Sequence, residues 1–100
     1  MGLTFFVNRE YPLDRVRIKQ TIAHTTGNIL YWDPVENAKI YQVYRRAADE
    51  DQWTLIKNTG SLGYKDTEAL PGVKYYYDVV ARNGEDRSEM NTREISMVRP

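Results

Sequence analysis

The sequence predicts an all-β domain, two packed sheets or a small barrel, and three observations carry that prediction. Seven short runs alternate apolar and polar residues, the period of a pleated strand with one buried face. Turn residues separate them, and no apolar stripe recurs at helical spacing in between. The clearest run is framed at both ends: Tyr75, Tyr77, Val79 and Ala81 fall on one face, Lys74, Tyr76, Asp78, Val80 and Arg82 on the other, with Pro71-Gly72 before and Asn83-Gly84 after. This is the central strand.

The elements follow in chain order. Residues 1–11 hold both phenylalanines, Phe5 and Phe6, without clear alternation, and Pro12 closes the segment, so it reads as an arm. Neighbouring aromatics point to opposite faces of a strand, and a lone arm could bury only one of them on its own domain; docking on another subunit would use both. From Arg15 to His24 a strand sets Val16, Ile18 and Ile22 inward and Arg15, Arg17 and Lys19 outward. Such a basic ladder can track phosphates, but its commoner reason is protection of an edge strand against another chain. After the Thr25-Thr26-Gly27-Asn28 turn, Leu30 and Trp32 face inward, Ile29 and Tyr31 outward, until Pro34 ends the strand. A third strand, Ala38 to Arg46, sets Tyr41 and Val43 on one face and Ile40, Gln42 and Tyr44 on the other.

Residues 47–52 form a polar turn with acids at Asp49, Glu50 and Asp51; EF-hand spacing is missing, so a solvated loop is expected. Trp53 and Leu55 alternate in a short strand, Leu62, Tyr64 and Asp66 in another, and Gly84 to Ser88 form the loop after the central strand. A last strand from about Thr92 to Val98 places Ile95 and Met97 on one face.

Composition narrows the function classes. The chain of 100 residues suits one domain, which at that size buries roughly two thirds of its unfolded surface. Cysteine is absent, excluding disulfides and thiolate metal sites. Fourteen basic residues balance fourteen acidic ones, so the field that gathers nucleic acid or an anionic membrane is missing. No stretch is long and apolar enough for a membrane-spanning helix. His24 is the sole histidine and lacks the partners of a triad, and no phosphate loop, cofactor motif or metal-ligand spacing occurs. Binding, not catalysis and without a cofactor, is the expected class.

Three segments are more specific than the strand pattern. NILYWDPVENAKIYQVYRR, the Tyr-x-Asp of Tyr64 and Asp66, and LPGVKYYYDVVARN resemble the fibronectin type III domain, especially its bacterial and phage versions, over about Pro12 to Pro100. The resemblance implies an immunoglobulin-like β-sandwich of seven strands in two antiparallel sheets. By position, Trp32 corresponds to the family's core tryptophan, Tyr41 to its third-strand tyrosine, and Leu70 with Tyr75 to its tyrosine corner, whose hydroxyl bonds nearby backbone. Asn28 departs from the pattern, standing where an inward apolar residue is usual, and a distortion at the start of the second strand is expected there. The resemblance also places the third and central strands side by side, with Tyr44 and Tyr76, beside Ile40 and Val80, on a common exposed face. Residues 84–88 lack the Arg-Gly-Asp motif that some members carry at this loop, so integrin adhesion is not supported.

The expected role is a structural module that docks onto other protein subunits through Phe5 and Phe6 of the arm and through Tyr44 and Tyr76. A natural start at Met1 would suit a phage virion component, capsid-decorating or tail-associated. The other reading is an extracellular accessory or spacer module of a secreted polysaccharide-degrading enzyme, with a carbohydrate as partner.

Overall fold

The computed structural model describes residues 10–100. Over these the chain forms β1 (Ile18–His24), β2 (Gly27–Trp32), β3 (Ile40–Ala47), β4 (Thr54–Thr59), β5 (Gly63–Asp66), β6 (Lys74–Asn83), β7 (Asp86–Arg87) and β8 (Ile95–Val98). A three-stranded sheet has the order β1-β2-β5; a five-stranded sheet has the order β4-β3-β6-β7, with β8 also on β6. Every pairing between these strands is antiparallel, and the isolated bridge of Leu13 with Ser88 is parallel. The strand beyond the seven expected is β7. Asn83 pairs with Asp86, so the hairpin turns over Gly84 and Glu85 alone instead of a longer loop. Gly84, at φ 60°, takes the left-handed position that a side chain resists.

β6 is the central strand of its sheet. β3 pairs along one edge, while the other is shared by β8 at Lys74 to Tyr77 and β7 at Arg82 and Asn83. Its inward residues Tyr75, Tyr77, Val79 and Ala81 are all buried. Beside them in the same sheet lie Tyr41 and Val43 of β3, opposite them in the other sheet Leu30 and Trp32 of β2, and Leu13, Val16 and Met97 complete the core. Sheets pack about 10 Å apart, a gap that a large ring fills. The Trp32 ring sits 5.7 Å from that of Tyr41, tilted by 57°, a geometry aromatic pairs favour. The Tyr41 hydroxyl accepts the Val35 N–H at 2.9 Å, so the phenol is buried without losing its hydrogen bond.

Two bulges change which residues face inward. In β1 the register slips between Ile18 and Gln20: Ile18 pairs with Trp32, Gln20 with Tyr31 and Ile22 with Ile29. One extra residue reverses the alternation. Ile22, expected inward with Val16 and Ile18, therefore lies on the outer face, 38% exposed. In β3 and β4, Val43 pairs with Lys57 and Tyr44 with Leu55. The extra residue, Ile56, packs against the core, and Leu55 turns outward beside Tyr44.

The start of β2 is not distorted. His24 pairs with Gly27 and Ala23 with Asn28 in unbroken register. Asn28 is tolerated in the core because its Nδ2 donates to the Tyr77 hydroxyl at 3.0 Å. Gly27 is needed beside it, since a Cβ there would lie 2.8 Å from the Asp66 carbonyl oxygen.

Candidate functional site

Of the core residues named from the sequence, Trp32, Tyr41 and Tyr75 are buried. Leu70 is not: the residue is 60% exposed. What Leu70 supplies is backbone, its N–H donating to the Tyr75 hydroxyl at 3.2 Å. A corner bond of this kind needs a main-chain donor and leaves the side chain free to face solvent. Phe5 and Phe6 lie outside the described residues.

Tyr44 and Tyr76 sit, half-buried, on the outer face of the five-stranded sheet. Tyr44 pairs with Leu55 on one side and Asp78 on the other, its hydroxyl donating to Gln42 Oε1 at 3.4 Å. Arg46 pairs with Tyr76 one step along, and its guanidinium lies 4.5 Å from the Tyr76 ring centre and 5.2 Å from that of Trp53. Lys74 Nζ stands 5.2 Å from the same tyrosine ring. The result is a row, Trp53–Arg46–Tyr76–Lys74, in which cations lie on ring faces. Arg46 is held further by the Glu50 carbonyl at 3.0 Å and lies 3.9 Å from Glu94. Beside this row Leu55 is 41% exposed, and Ile40, at the far end of β3, is also exposed.

The middle of the β6 part of that face is covered. Val80, expected among the exposed residues, is 3% exposed, and so is Asp78. Between β7 and β8 the chain leaves the sheet, which is why β8 begins at Ile95 and not near Thr92. Asn91 there donates to Asp78 through its N–H and its Nδ2, both at 2.8 Å, and its Nδ2 also reaches the Val16 carbonyl at 2.9 Å. Burial raises the Asp78 pKa above the ordinary carboxylate value, outweighing the hydrogen bonds from Asn91 and Val79 and the charge of Arg15 that lower it.

Sequence reasoning missed Arg46, Trp53 and Leu55 as members of this surface. The available signal was the Arg45-Arg46 pair, because consecutive residues on a strand point to opposite faces. Arg46 goes out to the rings. Arg45 goes in, its Nη1 donating to both Asp66 oxygens at 3.0 and 2.9 Å. Asp66 also accepts the Tyr77 hydroxyl at 2.6 Å, so Asn28, Tyr77, Asp66 and Arg45 form one chain of hydrogen bonds spanning β2, β6, β5 and β3. Burial, together with the Asp66 hydrogen bond, pushes the Tyr77 phenol far up, so it stays protonated at neutral pH. These hydrogen bonds tie the two sheets together and leave only Asn28 Oδ1 of the four side chains buried without a partner among the described residues. They have no open side on which to work.

His24 ends β1 beside the turn, its Nδ1 accepting the Thr26 N–H at 3.1 Å. Among the described residues no group of three or more His, Cys, Asp or Glu is placed to hold a metal ion, and no helix is long and apolar enough to cross a membrane.

No family model matches the sequence, and no curated protein does. Solved structures do match. A β-1,2-glucanase from Parabacteroides distasonis aligns with a TM-score of 0.75 and 23% identity over 88% of this chain, which spans only 13% of that enzyme. The fn3 domain of the human collagen α1(XX) chain aligns with a TM-score of 0.71 and 25% identity over 93% of this chain and 90% of that one. An Fn3-like protein from Clostridium thermocellum aligns with a TM-score of 0.67 and 26% identity over 81% and 88% of the two chains. With its two antiparallel sheets, interior tryptophan and tyrosine corner, and with these neighbours, the chain has the fibronectin type III fold.

Proposed function

We propose that this chain is a non-catalytic interaction module, residues 12–100 forming the domain and residues 1–11 its arm, and that it docks onto other protein subunits, further copies of itself included. The observation that carries this reading is the row of Trp53, Arg46 and Tyr76 beside exposed Leu55. Trp, Tyr and Arg are the side chains that dominate protein–protein hot spots, and here they are already ordered against one another, so little side-chain freedom is left to lose on binding. A capsid-decorating or tail-associated component of a phage particle would use a module in this way.

The alignment with part of a β-1,2-glucanase favours a second reading, an accessory or spacer module of a polysaccharide-degrading enzyme. Sugar recognition through Tyr76 fits less well, because Arg46 and Lys74 already lie against the ring that a sugar would stack on.

Sedimentation velocity over a concentration series, paired with pull-down on insoluble polysaccharide, tests the choice. Assembly that grows with concentration and is lost in Trp53→Ala and on deletion of residues 1–11 supports the subunit module. Retention on polysaccharide, lost in Tyr44→Ala and Tyr76→Ala, supports the enzyme accessory and overturns the first reading.

A further inference from the structure

A second surface lies at the seam between the sheets. Among the described residues β1 is an edge strand that pairs only with β2, and β8 pairs only with β6. Where these edges face each other, two adjoining cavities of about 240 and 410 Å³ share Arg17, Ile18, Arg93 and Ile95 in their walls. Together they form one groove. Half-buried Ile18 and Ile95 give it apolar surface, and Arg15, Arg17, Lys19 and Arg93 give it charge.

That charge is incompletely matched. Arg15 pairs with Glu89 at 2.6 Å, but Arg17 and Lys19 share a single carboxylate, Asp33, at 2.9 and 3.7 Å. Arg93 has no ion pair among the described residues. The Arg17 side chain is 80% exposed and Lys19 49%, so their bonds to Asp33 are the weak, exchangeable kind that an incoming carboxylate can replace.

We propose that this groove binds an extended acidic polypeptide segment. A strand laid along the edge of β1 would find main-chain donors and acceptors not used by β2, and its period of two would set acidic side chains toward Arg17, Lys19 and Arg93 and apolar ones toward Ile18 and Ile95. The basic ladder that protects β1 from indiscriminate pairing would then select a partner by charge. Nucleic acid fits less well, since the groove has apolar surface and no aromatic ring lines it for bases to stack on. This surface is separate from the Trp53–Arg46–Tyr76 row, so either can fail without the other.

The test uses the whole chain and a short end-capped peptide of alternating Glu and Val, labelled for fluorescence anisotropy, with amide chemical shifts followed in parallel. Expected are saturable binding, shifts concentrated at residues 17–21 and 93–96, weakening with added salt, and a loss of roughly tenfold or more in affinity in Arg17→Ala/Arg93→Ala. Both substituted side chains are exposed, and an unchanged melting curve shows that the variant remains folded. No saturable binding, equal binding of a Lys-for-Glu peptide, equal binding of a single-stranded oligonucleotide, shifts centred elsewhere, or full affinity in the folded double variant would each overturn the proposal.

Discussion

Removing one oxygen atom from Tyr77 tests the interior most sharply. Tyr77→Phe keeps the ring, which is 1% exposed, and so leaves the packing of the core almost unchanged. It deletes two hydrogen bonds: one accepted from Asn28 Nδ2 at 3.0 Å and one donated to Asp66 at 2.6 Å. The bond to the carboxylate is worth about 1.5–3 kcal/mol, and stranding the buried Asn28 amide costs about 1–3 kcal/mol more. Asn28 is already short of one partner, its Oδ1 being buried without one among the described residues. Asp66 keeps Arg45, which limits the loss. The expected destabilisation is roughly 2–4 kcal/mol, or about 10–20 °C in Tm for a domain of this size. Urea and thermal unfolding followed by circular dichroism would measure it, with an unchanged m value confirming a comparable transition. Asn28→Leu/Tyr77→Phe should recover part of the loss, because replacing both partners leaves neither stranded. A Tyr77→Phe effect below about 0.5 kcal/mol, or strictly additive single variants, would refute the reasoning.

Further outcomes follow from the same contacts. Trp32→Ala should cost about 3–5 kcal/mol, whereas Tyr75→Phe, which removes only the bond from the Leu70 N–H, should cost about 1 kcal/mol; equal effects on unfolding would remove Trp32 from the core. Ile22→Thr should shift stability by less than about 0.5 kcal/mol while Val16→Ala costs several times more, and the reverse order would place Ile22 inside. The raised pKa of Asp78 means that its contribution to stability is fullest below the free carboxylate pKa, about 4, and is lost as pH rises through the higher folded value. Relative to Asp78→Asn, the protein should therefore lose Tm across that window; a Tm difference that does not change with pH would contradict the burial of that carboxylate.

The sandwich was legible because its signals are local. The alternation of Tyr75, Tyr77, Val79 and Ala81, and the turns around them, need no knowledge of the partner strand. The bulges were not legible: nothing in IKQ or TLIK marks where one residue is left unpaired, so alternation alone points Ile22 inward and gives no sign that Leu55 turns outward. Asn28 looked like a defect because its partner, Tyr77, lies far away in sequence. Val80 looked exposed because alternation cannot reveal that residues 88–94 fold back beside β6. The proposed docking surface was half legible. Tyr44 and Tyr76 came from alternation and the family's strand order, while the stacking of Arg46 between Tyr76 and Trp53 depends on a register that only the fold supplies.

That the chain acts by docking through the outer face of its five-stranded sheet is tested most directly by amide and indole chemical shifts followed from micromolar to millimolar protein. Concentration-dependent shifts should cluster at Tyr44, Arg46, Leu55, Tyr76 and the Trp53 indole, leaving the buried Trp32 indole still. A spectrum that does not change with concentration, or changes gathered at the β2–β3 loop around Glu36 and Asn37, would contradict that role.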